Sequence, residues 1–148
     1  MTAGDVHAVI TAFRPDGILI DAIEALHEQV ASITVVDDGS GADAGLMLEA
    51  AARAGAQVLR LPENGGIAAA LNAGLDTALA AGADSIVTFD QDSVVPPGFV
   101  SALVRTRDEA RGRGRSFGPV VPEYFAGVRQ VHRVDPDGTL VARRAIRS

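Results

Sequence analysis

Residues 33–40 read Ile-Thr-Val-Val-Asp-Asp-Gly-Ser, and residues 85–93 read Ser-Ile-Val-Thr-Phe-Asp-Gln-Asp-Ser. In both stretches a short run of apolar and β-branched residues, typical of a buried strand, stops at a pair of carboxylates. Similar apolar runs at residues 6–13 and 57–61 are separated by helical patterns. Strands that alternate with helices indicate βα units. The predicted fold class is therefore α/β, a mainly parallel twisted sheet flanked by helices.

Four helices are predicted, over about residues 16–30, 46–54, 67–81 and 98–110. Apolar residues recur along the first helix and its end, at Leu19, Ile23, Leu26 and Val30. The third helix has a similar four-residue spacing that predicts its buried stripe: Ile67, Leu71, Leu75 and Leu79. Asn72 and Gly74, inside this helix, are expected to allow close packing on the sheet.

The C-terminal part of the chain has a different pattern. Residues 117–121 are a candidate fifth strand, and residues 131–134 and 139–142 flank Asp-Pro-Asp-Gly, a turn sequence typical of a β-hairpin. The predicted organisation is an α/β domain over residues 1–125, followed by an incomplete hairpin over residues 126–148.

Composition excludes several kinds of chemistry. The chain has 148 residues and no cysteine, so disulfides, thiolate metal sites and a cysteine nucleophile are ruled out. All 13 basic residues are arginine, which rules out every mechanism that needs a lysine. The net charge of -6 argues against a nucleic-acid partner. The absence of a long apolar run or signal peptide makes the cytoplasm the expected compartment.

Arginines are concentrated near the end of the fourth helix. Five of them fall between Arg105 and Arg115, at positions 105, 107, 111, 113 and 115. Such a cluster is either a solvated helix end and loop or a surface for anionic lipid headgroups or a diphosphate.

Polar groups follow three of the predicted strands, at Thr11–Arg14, Asp37–Asp38 and Asp90–Asp92. Ligands of open α/β sheets sit outside the carboxyl ends of the strands, so one shared pocket accounts for all three groups. Asp90 and Asp92 project to the same side of an extended backbone and would repel each other without a cation. Oxygen-only ligands select Mg²⁺ or Mn²⁺. An Asp-x-Asp triplet taken alone is more often a surface turn, and the preceding strand strengthens the metal interpretation.

The segment Asn64-Gly65-Gly66 precedes the third helix and has two interpretations. Backbone N–H groups at a helix N-terminus favour an anion, which suits a loop that contacts a nucleotide. The alternative is an ordinary N-cap with glycines for the turn. The three histidines, at positions 7, 27 and 132, have no partners at metal-ligand or triad spacing.

Taken together, these residues resemble family 2 glycosyltransferases of GT-A fold, in order and in spacing. The resemblance rests on four segments, residues 9–15, 35–40, 64–74 and 89–93. The Asp-Gln-Asp-Ser form and the Gly-Ile-Ala-Ala-Ala helix start are similar to the bacterial rhamnosyltransferase branch, whose donor is usually dTDP-rhamnose. The fold implied is the Rossmann-like nucleotide-binding half of a GT-A enzyme.

The resemblance also implies roles for individual residues. Thr11 and Phe13 would line the nucleotide base pocket, with Phe13 in place of a more common tyrosine, and Asp38 would hydrogen-bond the base. Asp90 would reach the ribose or sugar, and Asp92, with Asp90, would hold the Mg or Mn ion that bridges the diphosphate. Five further residues complete the predicted substrate-binding set: Ala12, Arg14, Gln91 and the loop residues Asn64 and Gly66.

The implied reaction is inverting transfer of a sugar to an acceptor hydroxyl, which needs a general base. Family members are roughly twice as long, and their base is an acidic residue supplied after this region. Asp108, Glu109 and Glu123 lie in the wrong segments, and Asp135 and Asp137 look like turn residues. We therefore expect a chain that binds donor better than it transfers sugar.

The expected partners are a dTDP- or UDP-linked sugar, a glycan or lipid-linked acceptor and a second copy of the chain. A lipid-linked acceptor would place the protein at the inner face of the membrane. The non-enzymatic alternative is a nucleotide-binding remnant that regulates or scaffolds a partner. A dehalogenase-type phosphatase is disfavoured because its lysine has no candidate here. A sugar-phosphate nucleotidyltransferase would have a basic, glycine-rich loop where this chain has Thr-Ala-Phe-Arg-Pro.

Overall fold

A computed structural model describes residues 6–114, 119–121, 132–134 and 140–142 of the chain. The helices and strands follow in chain order: β1 (Val6–Ala12), α1 (Ile18–Leu26), β2 (Ser32–Asp37), a 3₁₀ turn (Ala42–Ala44), α2 (Gly45–Arg53), β3 (Gln57–Arg60), α3 (Ile67–Ala80), β4 (Ser85–Asp90), α4 (Phe99–Gly112), β5 (His132–Val134) and β6 (Leu140–Ala142). The chain divides into two compact units, Met1–Asp108 and Glu109–Ser148.

The first unit is built on a four-stranded parallel sheet with the strand order β3-β2-β1-β4. The strand β1 pairs with β2 on one side and with β4 on the other, so the order reverses beside β1. The register places Thr11 next to Val36 of β2 and next to Asp90 of β4. The carboxyl ends of these three strands therefore meet at one edge of the sheet, and the predicted α/β class is confirmed.

One face of the sheet carries the larger core. Alternate residues of β1, from Val6 to Ala12, point into it and meet the apolar faces of α1 and α2. The predicted residues of α1, namely Leu19, Ile23 and Leu26, are fully buried. Val30 lies beyond the end of α1 and is only partly buried against the same core.

The other face is covered by α3, and here the predicted buried stripe is wrong. The residues that α3 buries are Ala70, Gly74 and Ala78. Ile67 is 61% exposed and Leu79 is 59% exposed, while Leu71 and Leu75 are half-buried. The four large residues form a stripe beside the contact face, because α3 turns its smallest side chains toward the sheet.

Gly74 explains why small residues win. A Cβ atom at this position would lie 2.3 Å from Cγ1 of Val9 and 3.0 Å from Cγ2 of Val36. The helix therefore approaches the sheet more closely than any side chain at position 74 would allow. The prediction that Gly74 permits close packing is confirmed, whereas Asn72 is exposed and takes no part in that contact.

In the second unit, β5 and β6 form an antiparallel pair in which His132 lies opposite Ala142. The predicted hairpin strands are confirmed, and the predicted turn at residues 135–138 lies outside the described residues. Residues 119–121 form no strand, and residues 117–118 of that prediction lie outside the described part.

The arginines of α4 do not act as one free cluster. The Arg107 guanidinium donates to Ser85 Oγ at 2.6 Å and pairs with the Asp108 carboxylate at 2.8 Å. Arg105, Arg111 and Arg113 are exposed, and Arg115 lies outside the described residues. Within the described ranges, no helix combines the length and the apolar character needed to cross a membrane.

Candidate functional site

The carboxyl ends of β1, β2 and β4 surround an open pocket with a volume of about 350 Å³. Nine residues line it: Thr11, Ala12, Phe13, Asp38, Ile67, Ala70, Asp90, Gln91 and Asp92. Seven of them were predicted from the sequence as site residues. The volume is in the range of small-molecule sites, and the location is the point where the strand order reverses.

Three predicted residues do not line the pocket: Arg14, Asn64 and Gly66. Two residues that were not predicted as site residues, Ile67 and Ala70 in the first turn of α3, do line the pocket. Sequence periodicity assigned Ile67 to the core, and for this reason it was missed as a pocket residue.

Asp38 is the polar group at the end of β2, and it holds the loop before α3. Asp38 is buried, with only 5% of its surface exposed. Oδ1 accepts from the Gly65 N–H at 2.8 Å, and Oδ2 accepts from the Gly66 N–H at 2.9 Å. These are the donors that the nucleotide-loop interpretation assigned to a ligand anion. Asn64 Oδ1 also accepts from the Gly66 N–H, at 3.2 Å, in a local turn. The N-cap of α3 is Gly66, which has no side chain to form a capping hydrogen bond.

The α3 terminus nevertheless keeps donors for a ligand. The helix bond from the Ala70 N–H to the Gly66 carbonyl means that the N–H groups of residues 67–69 have no acceptor within the helix. A carboxylate has about four lone-pair sites, so Asp38 can also accept further hydrogen bonds at the pocket wall. The Asp38 carboxylate therefore supports the loop and lines the pocket at the same time.

Gly39 lets the loop reach Asp38. Its φ is +70°, and a Cβ there would lie 2.3 Å from the backbone carbon of Glu63. Because only glycine tolerates both this conformation and this approach, the chain before α3 crosses directly over the end of β2.

The backbone after β1 turns sharply at Phe13 and Arg14. Phe13 donates its N–H to Gln91 Oε1 at 2.8 Å, and Arg14 donates its N–H to Ser40 Oγ at 2.7 Å. The φ of Arg14 is +49°, the left-handed region that residues other than glycine seldom adopt. The Phe13 ring is 40% exposed, and the Arg14 guanidinium carbon lies 5.1 Å from its centroid.

Asp37, beside Asp38 in the sequence, has a different task. It is fully buried, and its carboxylate accepts from the Ser40 hydroxyl and from Arg60 Nε at 3.3 Å. Arg60 also donates to the Gly41 carbonyl at 2.6 Å. Asp37 therefore braces the turn after β2 from below and does not line the pocket.

A further anchor holds the segment that follows β4. Gln29 Oε1 accepts from the Val100 N–H at 3.2 Å, and its Nε2 donates to the Pro96 carbonyl at 3.1 Å. The turn after α1 is thus tied to the start of α4. Sequence reasoning missed this residue, since a glutamine at a helix end carries no distinctive signal.

Asp90 and Asp92 are both exposed at the pocket, and neither carboxylate has a hydrogen-bond partner within the part of the chain that the structure describes. Two free carboxylates suit Mg²⁺ or Mn²⁺, which often take few protein ligands and complete their coordination with water and substrate phosphates. No group of three or more acidic, histidine or cysteine side chains forms a metal site among the described residues. Two carboxylates leave most of the coordination sphere of such an ion to water and to a phosphate-bearing ligand.

The described pocket contains no acidic side chain beyond the three that the resemblance assigns to donor and metal binding. Its acidic residues are Asp38, Asp90 and Asp92. The Asp108 carboxylate pairs with Arg107, and Glu123, Asp135 and Asp137 lie outside the described residues.

Comparison with known proteins bears on this geometry. The model of the family described as "Glycosyl transferase family 2" matches residues 8–133. No curated protein matches the chain significantly in sequence.

Two solved structures resemble the fold. Residues 1–349 of TarS from S. aureus superpose with a TM-score of 0.56 at 16% identity, over 75% of this chain and 33% of that chain. A 4-diphosphocytidyl-2C-methyl-D-erythritol synthase superposes with a TM-score of 0.52 at 20% identity, over 97% of this chain and 68% of the synthase. The chain thus spans about one third of the TarS structure.

Proposed function

Because the chain belongs to glycosyl transferase family 2, we propose that its pocket binds the nucleoside-diphosphate part of a sugar donor. One observation carries this proposal: the Phe13 ring, the largely buried Asp38 carboxylate and the two exposed carboxylates of residues 90 and 92 line the same pocket of about 350 Å³. These groups suit, respectively, a planar base, a polar base edge and a metal-bound diphosphate.

The base lies against Phe13 in this proposal, with Thr11 and Asp38 at its polar edge. Aromatic side chains stack on planar rings with favourable dispersion and little loss of conformational freedom. The Arg14 guanidinium does not line the pocket but lies 5.1 Å from the Phe13 ring centroid, a cation–π contact that supports the ring. Asp38 accepts hydrogen bonds and lines the same pocket as the Phe13 ring, so it is suited to a base that offers an N–H donor.

Asp92, together with Asp90, would hold Mg²⁺ or Mn²⁺. When bound, such an ion neutralises the diphosphate and stabilises its departure as a leaving group. The chain's own contribution is to fix two carboxylates at the end of β4, beside the base wall at the end of β1. The first turn of α3, which lines the pocket at Ile67 and Ala70, adds N–H groups that have no acceptor within the helix and that favour the anionic end of the donor.

The proposed reaction is inverting transfer of a sugar from a dTDP- or UDP-linked donor to a glycan or lipid-linked acceptor. The similarity to the rhamnosyltransferase branch makes rhamnose the proposed sugar. A lipid-linked acceptor would bring the protein to the inner face of the membrane from the cytoplasm. The acceptor side and the general base would come from beyond the donor-binding domain of residues 1–125, with residues 126–148 leading toward them, or from a second copy.

Calorimetric titration tests the proposal directly. We expect UDP or dTDP to bind the purified chain in the presence of Mn²⁺, and Asp92→Asn to remove the dependence on Mn²⁺. Asp84→Asn is the matched control, because Asp84 is an exposed aspartate just before the opposite end of β4. A folded wild-type chain that binds neither nucleotide, with or without Mn²⁺, would contradict the proposal.

The second candidate is a nucleotide-binding module without transferase activity, which regulates or scaffolds a partner. It is supported by the acidic residues of the described pocket, because Asp38, Asp90 and Asp92 all have donor-binding or metal-binding roles in the proposal above. The two candidates differ in one measurement. Transfer of sugar to an acceptor, or release of free sugar from the donor, eliminates the second candidate.

A further inference from the structure

We infer that Gln91 and Ser40 are positioning residues that hold the backbone of Phe13 and Arg14, and thereby set the wall on which the nucleotide base stacks. The inference rests on the proposed function for its ligand. Its structural part concerns only the chain itself.

The turn after β1 at Phe13 and Arg14, called the corner below, is held by hydrogen bonds from both sides. Gln91, which follows β4, accepts the Phe13 N–H at 2.8 Å. Ser40, which follows β2, accepts the Arg14 N–H at 2.7 Å. The segments that follow the two strands beside β1 therefore contribute one acceptor each to two consecutive amides. The strand pairing of β1 ends at Ala12, so these side chains accept hydrogen bonds from the first two amides beyond the sheet.

Arg14 shows why the corner needs such support. Its φ of +49° is unfavourable for an arginine. Residues in sparsely populated backbone regions persist when their surroundings over-determine the conformation. The two side-chain acceptors supply that constraint, and the resulting turn places the guanidinium over the Phe13 ring.

Ser40 is itself fixed by a buried group. Its hydroxyl donates to the Asp37 carboxylate, which is fully buried and paired with Arg60, so the hydroxyl proton is committed. The remaining lone pairs of Ser40 Oγ face the Arg14 N–H. The conformation of the corner is thus tied to a polar network in the first unit, and the serine hydroxyl is essential to that link.

Gln91 lies between Asp90 and Asp92 in the sequence. Its carbonyl oxygen is already engaged with the Phe13 N–H, which limits the role of that oxygen as a ligand contact. A neutral amide accepts this hydrogen bond without adding a third negative charge beside two carboxylates. The same residue therefore connects the acidic turn after β4 to the aromatic wall after β1.

The experiment compares Gln91→Met and Ser40→Ala with the wild type in two measurements. Met has the length of Gln without its acceptor. Ser32→Ala is the matched control, because Ser32 Oγ also makes a side-chain hydrogen bond, to His7 Nδ1 at 2.8 Å at the other end of the sheet. Ser40→Thr retains the hydroxyl and is the conservative rescue.

The first measurement is amide hydrogen exchange of the ligand-free protein, followed by NMR. We expect Gln91→Met to accelerate exchange at Phe13, and Ser40→Ala at Arg14, by about tenfold or more, as loss of one hydrogen bond implies. Exchange within β1 at Val9 and Ile10 should be unchanged. Unchanged exchange at Phe13 and Arg14 in these variants overturns the inference.

The second measurement is the dissociation constant for UDP and dTDP. We expect Gln91→Met and Ser40→Ala to raise the dissociation constant for the preferred nucleotide by about tenfold. Ser32→Ala and Ser40→Thr should bind the nucleotide like the wild type. Faster exchange with unchanged nucleotide affinity overturns the positioning role. A wild-type chain that binds neither nucleotide overturns the proposed function and the affinity part of this inference, while the exchange data still decide whether these residues hold the corner.

Discussion

Asp38→Asn tests whether the carboxylate after β2 is a structural support as well as a ligand contact. The aspartate accepts two backbone N–H groups, from Gly65 at 2.8 Å and from Gly66 at 2.9 Å. Hydrogen bonds to a charged acceptor contribute about 1.5–3 kcal/mol each. The asparagine keeps one acceptor, and its amide NH₂ group faces the other N–H. Asn64 Oδ1, 3.2 Å from the Gly66 N–H, takes over part of the lost interaction.

The expected loss is therefore at the low end, about 1–2 kcal/mol in the free energy of unfolding. For a chain of this size that corresponds to a fall in Tm of about 2–8 °C. Calorimetric unfolding without nucleotide is the assay, with Asp84→Asn as a control expected to change Tm little. Nucleotide titration follows well below the Tm of the variant.

The result that refutes this reasoning is an Asp38→Asn variant with unchanged Tm that has lost nucleotide binding. Asp38 would then act on the ligand alone. If stability and binding fall together, loss of binding in an Asp38 variant does not by itself demonstrate a contact with the base.

Three further predictions concern stability, each measured by urea denaturation. Gly74→Ala should lower the free energy of unfolding by about 1–2 kcal/mol, since overpacking against Val9 outweighs the better helix propensity of alanine. The control Gly45→Ala should be neutral or stabilising, because a Cβ at position 45 meets open space. Leu79→Ser should change stability by less than about 1 kcal/mol, because Leu79 is exposed; a loss of several kcal/mol would restore the leucine stripe as the buried face. Arg60→Met should cost about 1–2 kcal/mol by weakening support for buried Asp37, a loss limited by the solvent exposure of Arg60, and an unchanged stability would contradict that bracing role.

The composition of the pocket wall was readable from the sequence to a large extent. Parallel strands end at one edge of a sheet, so polar residues at the ends of three strands are expected to collect there, and packing decides which of them line the pocket. Thr11, Asp38, Asp90 and Asp92 follow from that rule, and all four line the pocket. What the rule does not provide is the hydrogen-bond partner of each group.

The partners required the three-dimensional arrangement. Asp37 and Asp38 are chemically identical neighbours, yet one is buried against Arg60 and the other holds the loop before α3. Adjacent residues at the end of a strand point to opposite sides, and only packing decides which side is core. Gln91 illustrates the same limit, because its acceptor meets an amide 78 residues away in the chain.

Sequence alone determined the alternation of strands and helices, the class of the sheet and the edge at which chemistry collects, because these follow from periodicity and chain direction. Tertiary structure decided which face of α3 is buried and which groups are already engaged. Periodicity identifies a stripe of large apolar residues, but the distance between helix and sheet selects the face, and at Gly74 that distance leaves no room for a side chain. Close packing is a property of two surfaces in contact, and a single segment of sequence describes only one of them.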